Sequence, residues 1–251
     1  MITDKKYIKE FISNNVEFDA VGDEVLKDVP YRWSHGATDD HLGDGLIIYS
    51  LIQYMRAKVC VCLGSGGGFV PRIMTQARVD LHSQNIFEGN PDYNWGDIGC
   101  TYIVDAMNGI GGVVNWFNEE SFFRRTFHPR IINDTTYNAF HNFFVLQDIK
   151  IDYLHIDAGH SYDNVKEDFE LYSQILSPNG IISIHDTDPS YHDRFIVTQE
   201  VKDRGEHDDW SGPIRLAKEI DTNKFEVFNL FNFGIIKNKP ASTGLTLIRK
   251  K

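Results

Sequence analysis

Four residues between positions 151 and 188 could do chemistry together. The stretch IDYLHIDAGHSYDNVKEDFELYSQILSPNGIISIHDTD carries Asp157 and His160 near its start and the pair His185-Asp186 near its end. Two carboxylates beside imidazoles can hold a divalent cation, and an imidazole can take a proton from a substrate near neutral pH. Further upstream, VCVCLGSGGGF runs an apolar stretch into Gly64-Ser65-Gly66-Gly67-Gly68. Such a turn lets a ligand approach the backbone, because no side chain intervenes and free N–H groups point outward. Two further acids follow apolar runs, Asp105 in TYIVDAM and Asp134 in RIINDTT. An acid at the end of a second strand is placed to accept hydrogen bonds from both ribose hydroxyls of an adenosyl group, and one after a third strand could reach the adenine edge.

These residues need a scaffold that gathers them. Strand-like runs at 58–63, 101–105, 130–133, 151–157, 180–185 and 225–230 alternate with helical segments, and GLTLIRK closes the chain. That alternation predicts an α/β protein with a Rossmann-like, doubly wound, mostly parallel seven-stranded sheet and an antiparallel C-terminal hairpin. In such sheets the carboxyl ends of neighbouring strands meet at one crevice, so Asp157, His160, His185 and Asp186 should converge. Helices are expected at 4–14, from Leu46 to Met55, at 119–127 behind an Asn118 cap, and after a Ser161 cap, the last ended by the turn SPNG at 177–180. The expected organisation is a lead-in helix and loop over 1–43 and one ligand-binding domain over 44–251, with loop insertions at 80–100 and 186–211 that would serve as lids.

Composition narrows the classes. The 251 residues carry 36 Asp+Glu against 25 Lys+Arg, a formal charge of −11. No excess of cations is available to displace counterions from a phosphate backbone or to dock on an anionic membrane, so neither a nucleic acid nor a membrane is an expected partner. The start, MITDKKYIKEFISNN, has no apolar core of a leader, and no run approaches the roughly 20 apolar residues of a membrane span. A cytoplasmic location is expected. Cys60, Cys62 and Cys100 read as buried thiols, the first two on one face of a strand. The dinucleotide fingerprint fails at Phe69, where its third glycine would stand, which disfavours a nicotinamide oxidoreductase, and no Gly-Lys-Ser/Thr follows to make a P-loop.

Together, LGSGGGF, IVDAM, the 151–188 stretch and the later SGPIRLAKEI resemble the class I S-adenosylmethionine-dependent methyltransferases over about residues 44–250. The D-x-x-H-x-Y helix followed by H-D-T is most similar to the branch that includes macrolide sugar O-methyltransferases and cephalosporin hydroxylase-like proteins. The resemblance implies S-adenosyl-L-methionine on Gly64, Ser65, Gly66, Asp105 and Asp134, with Asp157 and His160 as catalytic residues and His160 as general base. It implies a metal at Asp157 and Asp186, with His185 beside them. Metal-dependent members usually carry an acid at the His185 position, and a histidine there shifts preference from Mg²⁺ toward Mn²⁺ or no ion. The expected enzyme methylates a hydroxyl of a small polar acceptor, a sugar or glycosylated metabolite. The alternative is a non-catalytic, adenosyl-binding accessory protein acting with a partner, and homo-oligomerisation stays open.

The other histidines divide. His82, His128, His141 and His207 have no constellation around them and read as surface or packing residues, and His155 reads as a satisfied core histidine. The group His35, Asp39, Asp40, His41 and Asp44 reads either as a solvated loop or as a contact to cofactor or substrate. Tyr93, Trp95, Tyr191 and Trp210 lie in the long loops, where they could stack on a flat acceptor or pack on the body of the protein.

Overall fold

The computed structural model describes residues 34–37, 41–66, 68–87, 100–106, 129–190, 211–231 and 242–251. The expected helices at 4–14 and 119–127, and the four loop aromatics, lie outside these residues. In chain order the elements are α1 (Asp44–Met55), β1 (Val59–Leu63), α2 (Phe69–Phe87), β2 (Cys100–Val104), β3 (Arg130–Ile132), α3 (Thr136–Ala139) running into a π-helical turn, β4 (Ile151–Ile156), α4 (Tyr162–Tyr172), β5 (Leu176–His185), α5 (Gly212–Glu219), β6 (Phe225–Leu230) and β7 (Leu245–Lys250). The seven strands lie in the order β3-β2-β1-β4-β5-β7-β6. Strands β1 to β5 pair in parallel, and β7 pairs antiparallel with both β5 and β6. This is the Rossmann-like, mostly parallel seven-stranded sheet with an antiparallel C-terminal hairpin that strand and helix alternation predicts.

Alternation along β1 shows why both faces need cover. Val61 and Leu63 point into a cluster with Phe144, Leu154, Tyr172, Leu216 and Ile248, beneath α4 and α5. Cys60 and Cys62 point into the opposite cluster with Ile48, Ile52, Ile73, Met74 and Tyr153, beneath α1 and α2. The two thiols therefore share a face, and burial pushes the Cys60 thiol up to about 12. No described helix is long and apolar enough to cross a membrane.

Helix α4 begins where its sequence says it should, with the Ser161 hydroxyl accepting from the Asn164 N–H at 3.2 Å. Its C-terminus differs from the expected turn. The helix ends in a 3₁₀ turn at Ser173–Ile175, and SPNG lies inside β5, where the pairing with β4 shifts register between Ile151 and Tyr153. Pro178 has no N–H to donate, and a bulged strand end tolerates that loss. The insertion expected from residue 80 also starts later: α2 continues to Phe87, because DLHSQNIF holds neither Gly nor Pro to stop it.

One buried acid on α4 sets a pH-dependent stability. Asp168 is 2% exposed; burial raises its pKa, a Thr136 hydrogen bond lowers it, and Glu167 raises it, leaving it at about 7. The folded chain thus keeps a proton that the unfolded chain releases from near pH 4, so stability falls as pH rises from about 4 to about 7 and stays lower above. The full loss is of the order of 1–4 kcal/mol. Asp168→Asn should flatten that slope and raise the melting temperature at pH 8 by about 3–10 °C. Thermal unfolding of both proteins across pH 4–8 tests this, and parallel curves would show that Asp168 does not carry the effect.

Candidate active site

The crevice opens beside β1, where the strand order reverses, with β2 on one side and β4 on the other. The turn leaving β1 is anchored at both sides: the Gly64 N–H donates to the Val104 carbonyl and the Asp157 N–H to the Leu63 carbonyl, each at 2.9 Å. Gly64 has φ +80°, and a Cβ there would lie 2.1 Å from the Asp157 carbonyl oxygen. Only glycine allows β4's end to touch the turn this closely. At Gly66, φ is +45° and a Cβ would meet nothing within 4 Å. The Asp105 side chain, 6% exposed, reaches back to the turn, and its Oδ2 accepts from the Ser65 N–H at 3.0 Å and from the Ser65 hydroxyl. Gly64, Ser65, Gly66 and Asp105 thus form one unit. Asp134 differs. It is half-buried, and its Oδ1 accepts from the Thr135 N–H at 2.8 Å and the Asn138 amide at 2.9 Å, so it braces the start of α3.

The four chemistry-bearing residues of the 151–188 stretch do converge. His160 Nε2 lies 2.7 Å from Asp186 Oδ2 and 3.6 Å from Asp157 Oδ1. His185 Nδ1 lies 3.3 Å from Asp157 Oδ1 and 3.4 Å from Asp186 Oδ1. Asp186 adopts φ +58°, a conformation uncommon for a side-chain-bearing residue, and it is held there by His160 and by a hydrogen bond from the Thr243 hydroxyl to Oδ1.

Burial would drive every charge out of this group, yet mutual pairing prevails. Burial raises Asp157, but the charge of His185 and the close approach of the His155, His160 and His185 rings hold it well below the carboxylate range. Asp186 is depressed by His185 and His160 against the same desolvation. Burial lowers His160, and its bonds to Asp157 and Asp186 outweigh that and bring it to about 10. His185 is likewise raised by the two carboxylates. Each carboxylate thus favours the charged form of the imidazoles beside it, and they favour its charged form in return.

Three participants carried little or no local signal. His35 is 5% exposed, stacks on His185 with ring centroids 4.0 Å apart, and places Nε2 4.0 Å from Asp157 Oδ2. His35 is thus packed in the interior rather than solvated, and Asp39 and Asp40 lie outside the described residues. Asp44 instead accepts from the Ser242 hydroxyl, and burial raises it to about 6. His155 is fully buried with Nδ1 2.8 Å from the Ser183 hydroxyl. However, its Nε2 has no hydrogen-bond partner and lies 3.9 Å from Asp157 Oδ2, so it is not a satisfied core histidine. Thr243 arrives from the turn before β7, which pairs Leu245 against His185. Nothing around ASTG announces that role.

The donors around Asp157 fit Mg²⁺ poorly. That ion takes a near-ideal octahedron of oxygens. Here the carboxylate faces imidazole nitrogens from His35, His155, His160 and His185, and both Asp186 oxygens are engaged by His160 and Thr243.

Comparison with known proteins agrees with this architecture. A family described as "Methyltransferase domain" matches residues 61–187, about half of the chain. The O-methyltransferase from Bacillus cereus in complex with SAH superposes with a TM-score of 0.59 at 14% identity, over 97% of this chain and 90% of that one. The O-methyltransferase TomG from Streptomyces achromogenes, involved in tomaymycin synthesis and solved with SAM, gives a TM-score of 0.56 at 13% identity, over 95% and 96% of the two chains. At these identities the likeness is one of fold. An uncharacterized protein, y4gI of Sinorhizobium fredii, is 40% identical over 47 residues, which span 19% of this chain and only 5% of that protein.

Proposed function

This chain belongs to the methyltransferase-domain family matched over residues 61–187, and on that premise we propose that it transfers a methyl group from S-adenosyl-L-methionine to a hydroxyl of a small polar acceptor, a sugar or glycosylated metabolite. One observation carries the reading: the glycine turn that would hold the cofactor is in direct backbone contact with Asp157, the residue that begins the His160–Asp186 group. A cofactor on that turn would present its methyl group beside an acid–base pair. Both structural neighbours are O-methyltransferases, which supports the choice of oxygen as acceptor atom.

In this mechanism the ribose hydroxyls donate to Asp105, whose carboxylate is oriented by Ser65. The backbone of Gly64, Ser65 and Gly66 binds the rest of the adenosyl group, with Asp134 at the adenine side. Displacement at the methyl carbon is in line, so most of the rate comes from holding the acceptor oxygen at near-attack distance. His160 takes the hydroxyl proton, with Asp157 and Asp186 orienting its ring. The domain would span 44–251, and the protein would work on small molecules rather than nucleic acid or membrane, in the cytoplasm.

Calorimetry with S-adenosylmethionine and S-adenosylhomocysteine, followed by mass-spectrometric screening of hydroxyl acceptors including sugars, tests the reading. Asp105→Asn keeps an acceptor for Ser65 but removes the charge, and it should weaken both cofactors about 10–100-fold, as expected for losing a hydrogen bond to a charged group. Unchanged affinity would move the cofactor off Asp105. Tight binding with no methyl transfer to any acceptor would favour an accessory, adenosyl-binding protein instead.

A further inference from the structure

We propose that His35, Asp157 and His185 form a binding site for a borderline divalent transition ion of the Zn²⁺, Co²⁺ or Fe²⁺ class, with His155 as a further nitrogen facing it. One ligand atom from each of His35, Asp157 and His185 lies within 4.8 Å of the others. Two imidazoles and one carboxylate make a set that selects such ions over Mg²⁺ or Ca²⁺, which prefer oxygen.

Two of the four histidines, His185 and His155, carry far-side hydrogen bonds of the kind ligands have, whereas His35 Nδ1 is buried without a partner. His185 Nε2 lies 3.2 Å from the Ser34 carbonyl oxygen and 3.1 Å from Thr243 Oγ1. The carbonyl can only accept, so Nε2 carries the hydrogen, and Nδ1 is the nitrogen turned to Asp157. His155 has the same arrangement on the sheet: the Tyr153 hydroxyl donates to Ser183, Ser183 sits on the Leu154 carbonyl, and His155 Nδ1 lies 2.8 Å from that hydroxyl. Far-side partners of this kind fix the ring and free the near nitrogen, as outer partners of metal-bound histidines do.

The second observation is His155 Nε2. It is fully buried, has no hydrogen-bond partner, and points at Asp157 Oδ2 from 3.9 Å, while His35 Nε2 faces the same oxygen from 4.0 Å. Both distances are too long for hydrogen bonds, and a buried polar nitrogen without a partner is costly. They suit two donors that share an ion. The strap that carries His35 is fixed at this spot, since the Thr243 N–H donates to the Ser34 carbonyl at 2.8 Å and the His35 ring lies between Phe69 and His185.

The site stands apart from the methyl-transfer reading and can hold or fail without it. The full chain, stripped of metal by a chelator, is titrated with Zn²⁺ and with Mg²⁺ by calorimetry, and with Co²⁺ by visible absorption. Zn²⁺ should bind at least about 100-fold more tightly than Mg²⁺, and Co²⁺ should develop the intense bands of a low-coordinate nitrogen site. His35→Gln should weaken Zn²⁺ by more than the roughly 10–100-fold typical of losing an outer partner. Because His155 lies in the core, His155→Gln is read only if its circular dichroism and melting are native; His35→Gln, on the strap, keeps the test decisive. Equal affinity for Mg²⁺ and Zn²⁺, no binding of either, or unchanged Zn²⁺ affinity in His35→Gln would each overturn the proposal. Ion binding without cofactor binding would sink the methyl-transfer reading alone.

Discussion

Replacing His160 with Ala should lower methyl transfer by about 10²–10⁴-fold while leaving S-adenosylmethionine affinity near its original value. His160 sits outside the Gly64–Asp105 unit, so cofactor contacts survive, and it is a quarter exposed, so the fold should survive too. The pH profile makes the expectation sharper. Burial lowers the His160 pKa, but its pairing with the Asp157 and Asp186 carboxylates raises it to about 10. An imidazole accepts a proton only when neutral, and at pH 7 roughly one molecule in 10³ would have it so. Turnover should therefore climb about tenfold per pH unit from 7 toward 10, and His160→Gln should lose that slope together with the activity. A flat profile in the parent chain, or full turnover in His160→Ala, would remove His160 from the role of base.

Gly64→Ala should do comparable damage by a different route. The residue has φ +80°, which costs a side-chain-bearing residue about 1–2 kcal/mol, and the new methyl would lie 2.1 Å from the Asp157 carbonyl oxygen and 2.6 Å from its carbon. Backbone atoms on both sides must move, so the end of β1 and the end of β4 would separate. A total loss of about 2–4 kcal/mol and a fall in melting temperature of about 5–15 °C are expected, with cofactor binding lost as well. Gly66→Ala is the control. Its φ of +45° carries a similar conformational cost, but its methyl meets nothing within 4 Å, so the fold should weaken by only about 1 kcal/mol. Similar melting temperatures for the two variants would show that the Gly64–Asp157 contact is not what holds the turn.

Much of the frame is local and was legible. The strand at 151–156 is a short, largely buried run followed directly by Asp157, Ser161 is a cap because its side chain reaches an N–H three residues on, and the glycine run can only be a turn. The misreadings arose where local signals compete. SPNG has turn chemistry, but pairing with β4 draws it into a bulged strand, and α2 ran past residue 80 because nothing in it breaks a helix.

By itself, then, the amino-acid sequence determined the seven-stranded α/β frame, the glycine turn and the meeting of Asp157, His160, His185 and Asp186, since strand ends in such a sheet share one edge. Tertiary structure alone decided who else meets there. Ser34 and His185 are 151 positions apart, and Thr243 and His185 are 58 apart; each pair is joined by hydrogen bonds that no local pattern encodes. It also decided that His155 faces Asp157 with a nitrogen unpartnered, that Asp134 turns to its own helix, and that His35 is buried against His185. Periodicity and capping act within a few residues along the chain, whereas packing across a folded sheet depends on separations the chain must close in space.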